Sequence, residues 1–226
     1  MDYSKHIENG IVIIGAGNVA THIALALKRN GYFIRTIYSK TEKSAQSLAI
    51  KISAPFTTQL KTLPDNAGIY IISVKDTVIE DIAQNLKIKN GMVVHTAGSV
   101  SMSVFEPYFK NFGVFYPLQT FTKTRKLEFS EIPLCIEANN SNSENKLLNL
   151  AQSLSKKVAL INSEKRKILH LAAVFACNFT NHMYNIGFQL LYEKNINFNI
   201  LHPLMNETAK KANDMNPLDA QTGPAI

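Results

Sequence analysis

Residues 11–20 read Ile11-Val12-Ile13-Ile14-Gly15-Ala16-Gly17-Asn18-Val19-Ala20. Four consecutive β-branched residues fit a short strand buried on both faces, as in a parallel sheet. Two glycines then make a turn, and the residues from Asn18 to Lys28 run on with helical spacing. Strand, glycine turn and helix in this order open a Rossmann-type dinucleotide-binding domain. Gly15 permits the tight turn, and Gly17 lets the backbone approach a pyrophosphate. Ala20 stands where a third glycine is common and still allows close packing of helix on strand. Asn18 and Val19 begin the helix, whose free N–H groups and partial positive charge suit phosphate.

Outward from this stretch, strands and helices alternate. Strand patterns cover 32–38, 54–56, 68–74, 92–96, 113–116, 134–137 and 158–161. Helical patterns cover 42–50, 77–86, 102–105 and 143–155, with Thr41 as a cap for the first of these. No strand signal follows residue 161. Asn162-Ser163 can cap a long helix from Glu164 to about Lys194, and Pro203 suits the first turn of another helix reaching about Ala212. The expected fold is α/β: a Rossmann-type doubly wound parallel sheet over 1–161, followed by a small all-α domain over 162–226. That second part looks short. Its end at Thr222-Gly223-Pro224-Ala225-Ile226, just after a turn signal, suggests either a missing helical segment or a natural truncation.

The 226 residues suffice for one good core and a second, smaller one. No apolar run approaches the roughly 18 residues of a membrane span, and the polar start, Met1 to His6, carries no signal peptide. Cys135 and Cys177 lie far apart in apolar surroundings, which suggests buried thiols in a reducing cytoplasm. Neither has a partner at metal-ligand spacing, so no metal site is expected. The formal net charge is +7, spread over short groups such as Lys123 to Lys126 and Lys165 to Lys167. With no aromatic-interleaved basic stripe, this charge reads as a solvated surface that attracts an anionic cofactor, not as a nucleic-acid interface.

The cofactor reads as NADP(H). NAD-binding domains usually place an acid at the end of the second strand, to accept bonds from the ribose hydroxyls. Here that strand ends in Ser39, Lys40 and Thr41, with Arg35 and Lys43 nearby in sequence. Hydroxyls and a cation suit a 2′-phosphate. Later strand ends supply more of the floor: Val74 and Lys75, then Ala97, Gly98 and Ser99. For chemistry, the long helix offers His170, Asn178, Asn181 and Tyr184. At about 100° per residue, these fall with Cys177 on one broad face flanked by alanines. His170 can exchange a proton near neutral pH, and Asn178 can orient a polar substrate group. Tyr116, at another strand end, is a candidate acid, though packing alone also explains it.

With these residues in view, the chain resembles a family of bacterial NADP oxidoreductases that join a Rossmann-like domain to a helical domain of unknown function, similar to deazaflavin-dependent NADP oxidoreductases. The matching stretches are Ile14-Gly15-Ala16-Gly17-Asn18-Val19-Ala20, His95 to Ser99, Tyr116 to Phe121, His170 to Asn178, Pro203 to Thr208 and Thr222 to Ala225. The family pattern often has histidine where Tyr116 stands. In the distantly similar prephenate dehydrogenases, a His-Pro at this place serves the substrate hydroxyl. The wider superfamily, pyrroline-5-carboxylate reductases included, implies a cleft between domains and a homodimer through the helical domain. The resemblance therefore implies an NADP(H)-dependent oxidoreductase acting on a small-molecule substrate, and the charge pattern and the short apolar runs leave nucleic-acid and membrane partners unexpected. A non-catalytic NADP(H)-binding sensor or scaffold is the alternative.

Overall fold

Residues 7–220 and 223 are described by a computed structural model. The polar start at 1–6 and most of the Thr-Gly-Pro-Ala stretch lie outside the described residues. The chain forms β1 (Ile11–Ile14), α1 (Asn18–Arg29), β2 (Ile34–Tyr38), α2 (Glu42–Ile52), β3 (Phe56–Thr57), β4 (Ile69–Ile72), α3 (Ile79–Asn85) and β5 (Met92–His95). It continues with β6 (Phe112–Pro117), β7 (Leu134–Ala138), α4 (Ser141–Leu154), β8 (Val158–Leu160) and α5 (Ser163–Ala173).

The eight strands form one sheet in the order β3-β2-β1-β4-β5-β6-β7-β8. The order reverses at β1, between β2 and β4, which is the switch point where such folds bind ligands. β1 is central and fully buried. Ile11 and Ile13 pack with residues of α1, α2 and α4, whereas Val12 and Ile14 pack with α3 and the buried Phe105 and Phe109. Period-two alternation in an all-apolar strand thus serves two cores, one on each face.

Three features depart from the expected layout. β7 runs antiparallel to β6, pairing Tyr116 with Cys135, while β8 is parallel to β7. The connection 118–133 contains only a short 3₁₀ turn, and a parallel return needs a crossover such as a helix. The helix expected from residue 77 begins as a 3₁₀ turn at Asp76–Val78, before α3. Finally, the first compact unit extends to Ala173, beyond the boundary expected at Ile161. α5 belongs to this unit because its first turns are bonded to the sheet: Ser163 and Arg166 both donate to Glu137 on β7.

The second compact unit is 174–226. It opens with a π-helical turn, Val174–Phe179, and continues through α6 (Thr180–Tyr192), α7 (His202–Asp214) and the short α8 (Pro217–Ala220). The long expected helix is therefore interrupted. A π turn advances the chain by a different angle per residue, so the constant 100° that grouped Asn178, Asn181 and Tyr184 with His170 does not hold. Phe188 packs edge-on against Phe198, and Phe198 against His202. None of the described residues of this unit is buried. Cys177 is exposed and Cys135 buried, against the expectation of two buried thiols. Among the described residues, no helix is long and apolar enough to cross a membrane, and no group of acids, histidines and cysteines has metal-binding geometry.

Candidate functional site

A cavity of about 1080 Å³ opens in the first unit at the carboxyl ends of β1, β2, β4, β5 and β6. Its floor is the glycine turn. Gly15 has φ +121°, and a Cβ there would stand 2.1 Å from the Ser73 carbonyl oxygen. Only glycine fits, because β4 passes directly beneath the turn. At Gly17 the reason differs: a Cβ would meet nothing within 4 Å, so the space above it is open. Gly17 is also the N-cap of α1, whose first turn has no acid and no side-chain cap. Uncapped N–H groups facing an open space make an anion site, and these residues fit a pyrophosphate.

Along the cavity, Ser39, Lys40, Thr41 and Ser44 line one end. The Thr41 hydroxyl donates to Ser44 Oγ at 2.8 Å and does not cap α2. The lining residues here are hydroxyls and an ammonium with no acid among them, since Glu42, which begins α2, does not line the cavity; this set fits a 2′-phosphate. Arg35 is not part of this cluster. It sits at the amino end of β2, where its guanidinium donates to Asn66 at 2.7 Å.

The other end holds Val74, Lys75, Ala97, Gly98, Tyr116 and His170. Tyr116 Oη and His170 Nδ1 are hydrogen-bonded at 2.9 Å, with the rings edge to face at 5.9 Å. Gly98 permits this arrangement. A Cβ there would fall 2.5 Å from His170 Nδ1 and 2.6 Å from its Cγ, so the imidazole rests on bare backbone. The structure brings together residues 54 positions apart, from β6 and α5, beside the β5 loop.

One expected member stands elsewhere in the first unit. Ser99 does not line the cavity; its exposed hydroxyl donates to Asp76 through a short hydrogen bond. Asn178 lies in the π turn of the second unit and is exposed.

Sequence reasoning missed Lys123, which lines the cavity from the 118–133 connection. Its loop is pinned to α1. His22, buried on that helix, contacts the Thr122 carbonyl through Nε2 at 3.0 Å and packs on Phe121 with centroids 5.0 Å apart. A lysine in an irregular loop carries no periodic signal; the one available hint was His22 among the apolar residues of α1. Arg166 was missed too. It read as one cation in a solvated basic group, yet it is fully buried.

Residues 10–98 match the family described as NADP oxidoreductase, coenzyme F420-dependent, and residues 132–226 match a domain of unknown function, DUF2520. A Bacteroides fragilis protein, provisionally described as an NADP oxidoreductase, is 47% identical in a match covering 98% of this chain and 87% of that one, with a TM-score of 0.91. A Thermotoga maritima protein is 23% identical over 95% of this chain and 84% of that one, with a TM-score of 0.80. A Streptococcus pyogenes 1-pyrroline-5-carboxylate reductase shares the fold at 14% identity, over 96% of this chain and 86% of that one, with a TM-score of 0.71. No curated protein matches the chain in sequence.

Proposed function

This chain belongs to the two-part NADP oxidoreductase family of the Bacteroides fragilis protein, and from that premise we propose that it is an NADP(H)-dependent oxidoreductase acting on a small metabolite. One observation carries the reading: a single cavity holds an open glycine turn, a β2 end lined by Ser39, Lys40, Thr41 and Ser44, and the Tyr116–His170 pair. Gly15, Gly17, Asn18 and Val19 hold the pyrophosphate, Ser39, Lys40 and Thr41 the 2′-phosphate, and Ala97 and Gly98 border the nicotinamide. NADP(H), when bound, supplies or accepts the hydride.

The chain's own residues then handle the proton. In reduction of a carbon–oxygen or carbon–nitrogen double bond, carbon takes the hydride and the heteroatom takes a proton from the Tyr116 hydroxyl. His170, donating from Nδ1, stabilises the phenolate oxygen until solvent returns a proton to it. Oxidation runs the same transfers in reverse. Lys40, Lys75 and Lys123 outnumber Asp76 and Asp81 in the lining, a small positive balance that favours anionic ligands in this cavity.

A second copy of the chain is the proposed partner, since the second unit exposes Phe179, Met183, Ile186 and Leu190. The free thiols Cys135 and Cys177 fit a reducing, cytoplasmic setting.

Calorimetric titration with NADPH and with NADH tests the cofactor reading. NADPH should bind tighter by tenfold or more, about 1.4 kcal/mol. Equal affinities would remove the 2′-phosphate assignment, and binding of neither would retire the function. A panel of carbonyl, imine and alcohol substrates follows, with His170→Ala expected to abolish turnover while leaving NADPH affinity nearly intact. Binding without turnover on any substrate would favour the sensor or scaffold reading.

A further inference from the structure

Arg166 is fully buried, and its bonds reach three parts of the first unit. Nη1 donates to Glu137 Oε2 on β7 at 2.5 Å. Nη2 donates to the Val100 carbonyl at 2.5 Å and to Ser163 Oγ at 3.1 Å. Glu137 also accepts from the Ser163 backbone N–H at 2.9 Å and its hydroxyl at 2.7 Å. One carboxylate thus satisfies the first N–H of α5 while neutralising a cation one turn along the same helix. Burying such a pair is expensive, and an apolar pair of similar size often stabilises as well. Simple stability is therefore a poor reason for its presence.

Its connections suggest a better one. Val100 ends the loop from Ala97 that borders the reactive end of the cavity. His170 lies four residues after Arg166 on α5, hence on the same side of the helix and one turn further. We propose that Arg166 and Glu137 form a positioning clamp, which fixes α5 against the Ala97–Val100 loop and so seats His170 over Gly98 and against Tyr116. The planar guanidinium suits the task, because it holds a carboxylate and a carbonyl at once with fixed angles, which a single ammonium does not. The catalytic meaning of this seat rests on the proposed function, but the seat itself does not.

The test is imidazole NMR of the full chain without cofactor, comparing the native protein with Arg166→Met, Arg166→Lys and Glu137→Gln. The His170 signals are assigned by their loss in His170→Ala, and their dependence on Tyr116 by Tyr116→Phe. His22, held on α1 against Thr122, is the internal control. In each variant that melts cooperatively, the His170 signals should leave their native positions while those of His22 stay. Arg166→Lys should give a smaller displacement than Arg166→Met, and NADPH affinity should remain within about threefold of native. If Arg166→Met does not fold, the near-isosteric Glu137→Gln and the lysine variant decide. Native His170 signals in the folded variants would overturn the clamp. So would joint movement of His22 and His170, which would mean general loosening. Failure of the native protein to bind NADPH would overturn the cofactor reading alone, because the His170 signature needs no cofactor.

Discussion

A methyl group added to Gly15 and one added to Gly17 should have opposite consequences, although the two glycines are neighbours in one motif. At Gly15 the methyl would strike the Ser73 carbonyl at a positive φ, so Gly15→Ala should destabilise the fold by about 2 kcal/mol or more in urea unfolding. Gly17 has φ −77° and open space, so Gly17→Ala should leave stability within about 0.5 kcal/mol. It should nevertheless weaken NADPH binding by tenfold or more, about 1.4 kcal/mol. Full binding by Gly17→Ala would remove the pyrophosphate from this turn. A second residue-scale outcome concerns His95, which is buried at the end of β5 and accepts from the Ala97 N–H at 3.2 Å. Burial and then the Arg166 guanidinium push its pKa down to about 3. The native imidazole stays neutral, while an unfolded histidine takes a proton below about pH 6.5. Stability is thus whole above that value and falls as pH drops from it toward about 3. Between pH 7 and 5 the loss should be about 2 kcal/mol, and urea unfolding should show it largely absent in His95→Gln. An equal loss in the variant would place the pH sensitivity elsewhere. These residues also show what the sequence disclosed. The glycine turn was legible because its chemistry is local. Arg166 was not, because its partner Glu137 lies on another element and its flanking lysines suggested solvent; a glutamate ending an apolar strand was the one available hint.

At the scale of elements, β1, α1, β2 and α2 could be read almost to the residue, because apolar periodicity is written within each segment. Direction is not. A buried strand such as Leu134–Ala138 has the same composition whichever way it runs, and the reversal of β7 follows from a connection too irregular to serve as a crossover. The π turn at Val174–Phe179 was likewise hidden, since its residues are ordinary helix residues. The reversed strand has a consequence for α4. Because β7 is antiparallel to β6, the turn after it lies at the amino ends of the parallel strands, opposite the cavity. Asn140 caps α4 there, with Oδ1 accepting from the Ser143 N–H at 2.9 Å and Nδ2 reaching Asn111 at 3.2 Å. Asn140→Ala should cost about 1 kcal/mol of stability. NADPH affinity should not change, since nothing at that end touches the site. A fall in affinity would mean that the two ends of the sheet are coupled.

At the scale of the whole molecule, the buried core of the described residues lies in the first unit, and many of the exposed large apolar residues lie in the second. The first unit fills both faces of its sheet. In the second, Phe179, Met183, Ile186 and Leu190 repeat at helical spacing, and each is 40% exposed or more. Apolar residues at such intervals form a stripe along one face, and exposed contiguous patches of this kind mark interaction sites. The second unit is 53 residues long, from 174 to 226, too few to gain much stability without covering that face. If a second copy supplies the cover, sedimentation should give a dimer at micromolar concentration. Met183→Glu with Ile186→Glu should shift the protein to monomer. NADPH binding should survive in that monomer, because every residue assigned to the cofactor lies in the first unit. Salt should sharpen the result. Each copy carries a formal charge of +7, so added salt screens repulsion between copies and should strengthen an apolar dimer. Binding to an acidic partner such as nucleic acid would weaken under the same change. A native protein that stays monomeric in high salt at high concentration would rule out the dimer and leave the apolar stripe to a partner of another kind.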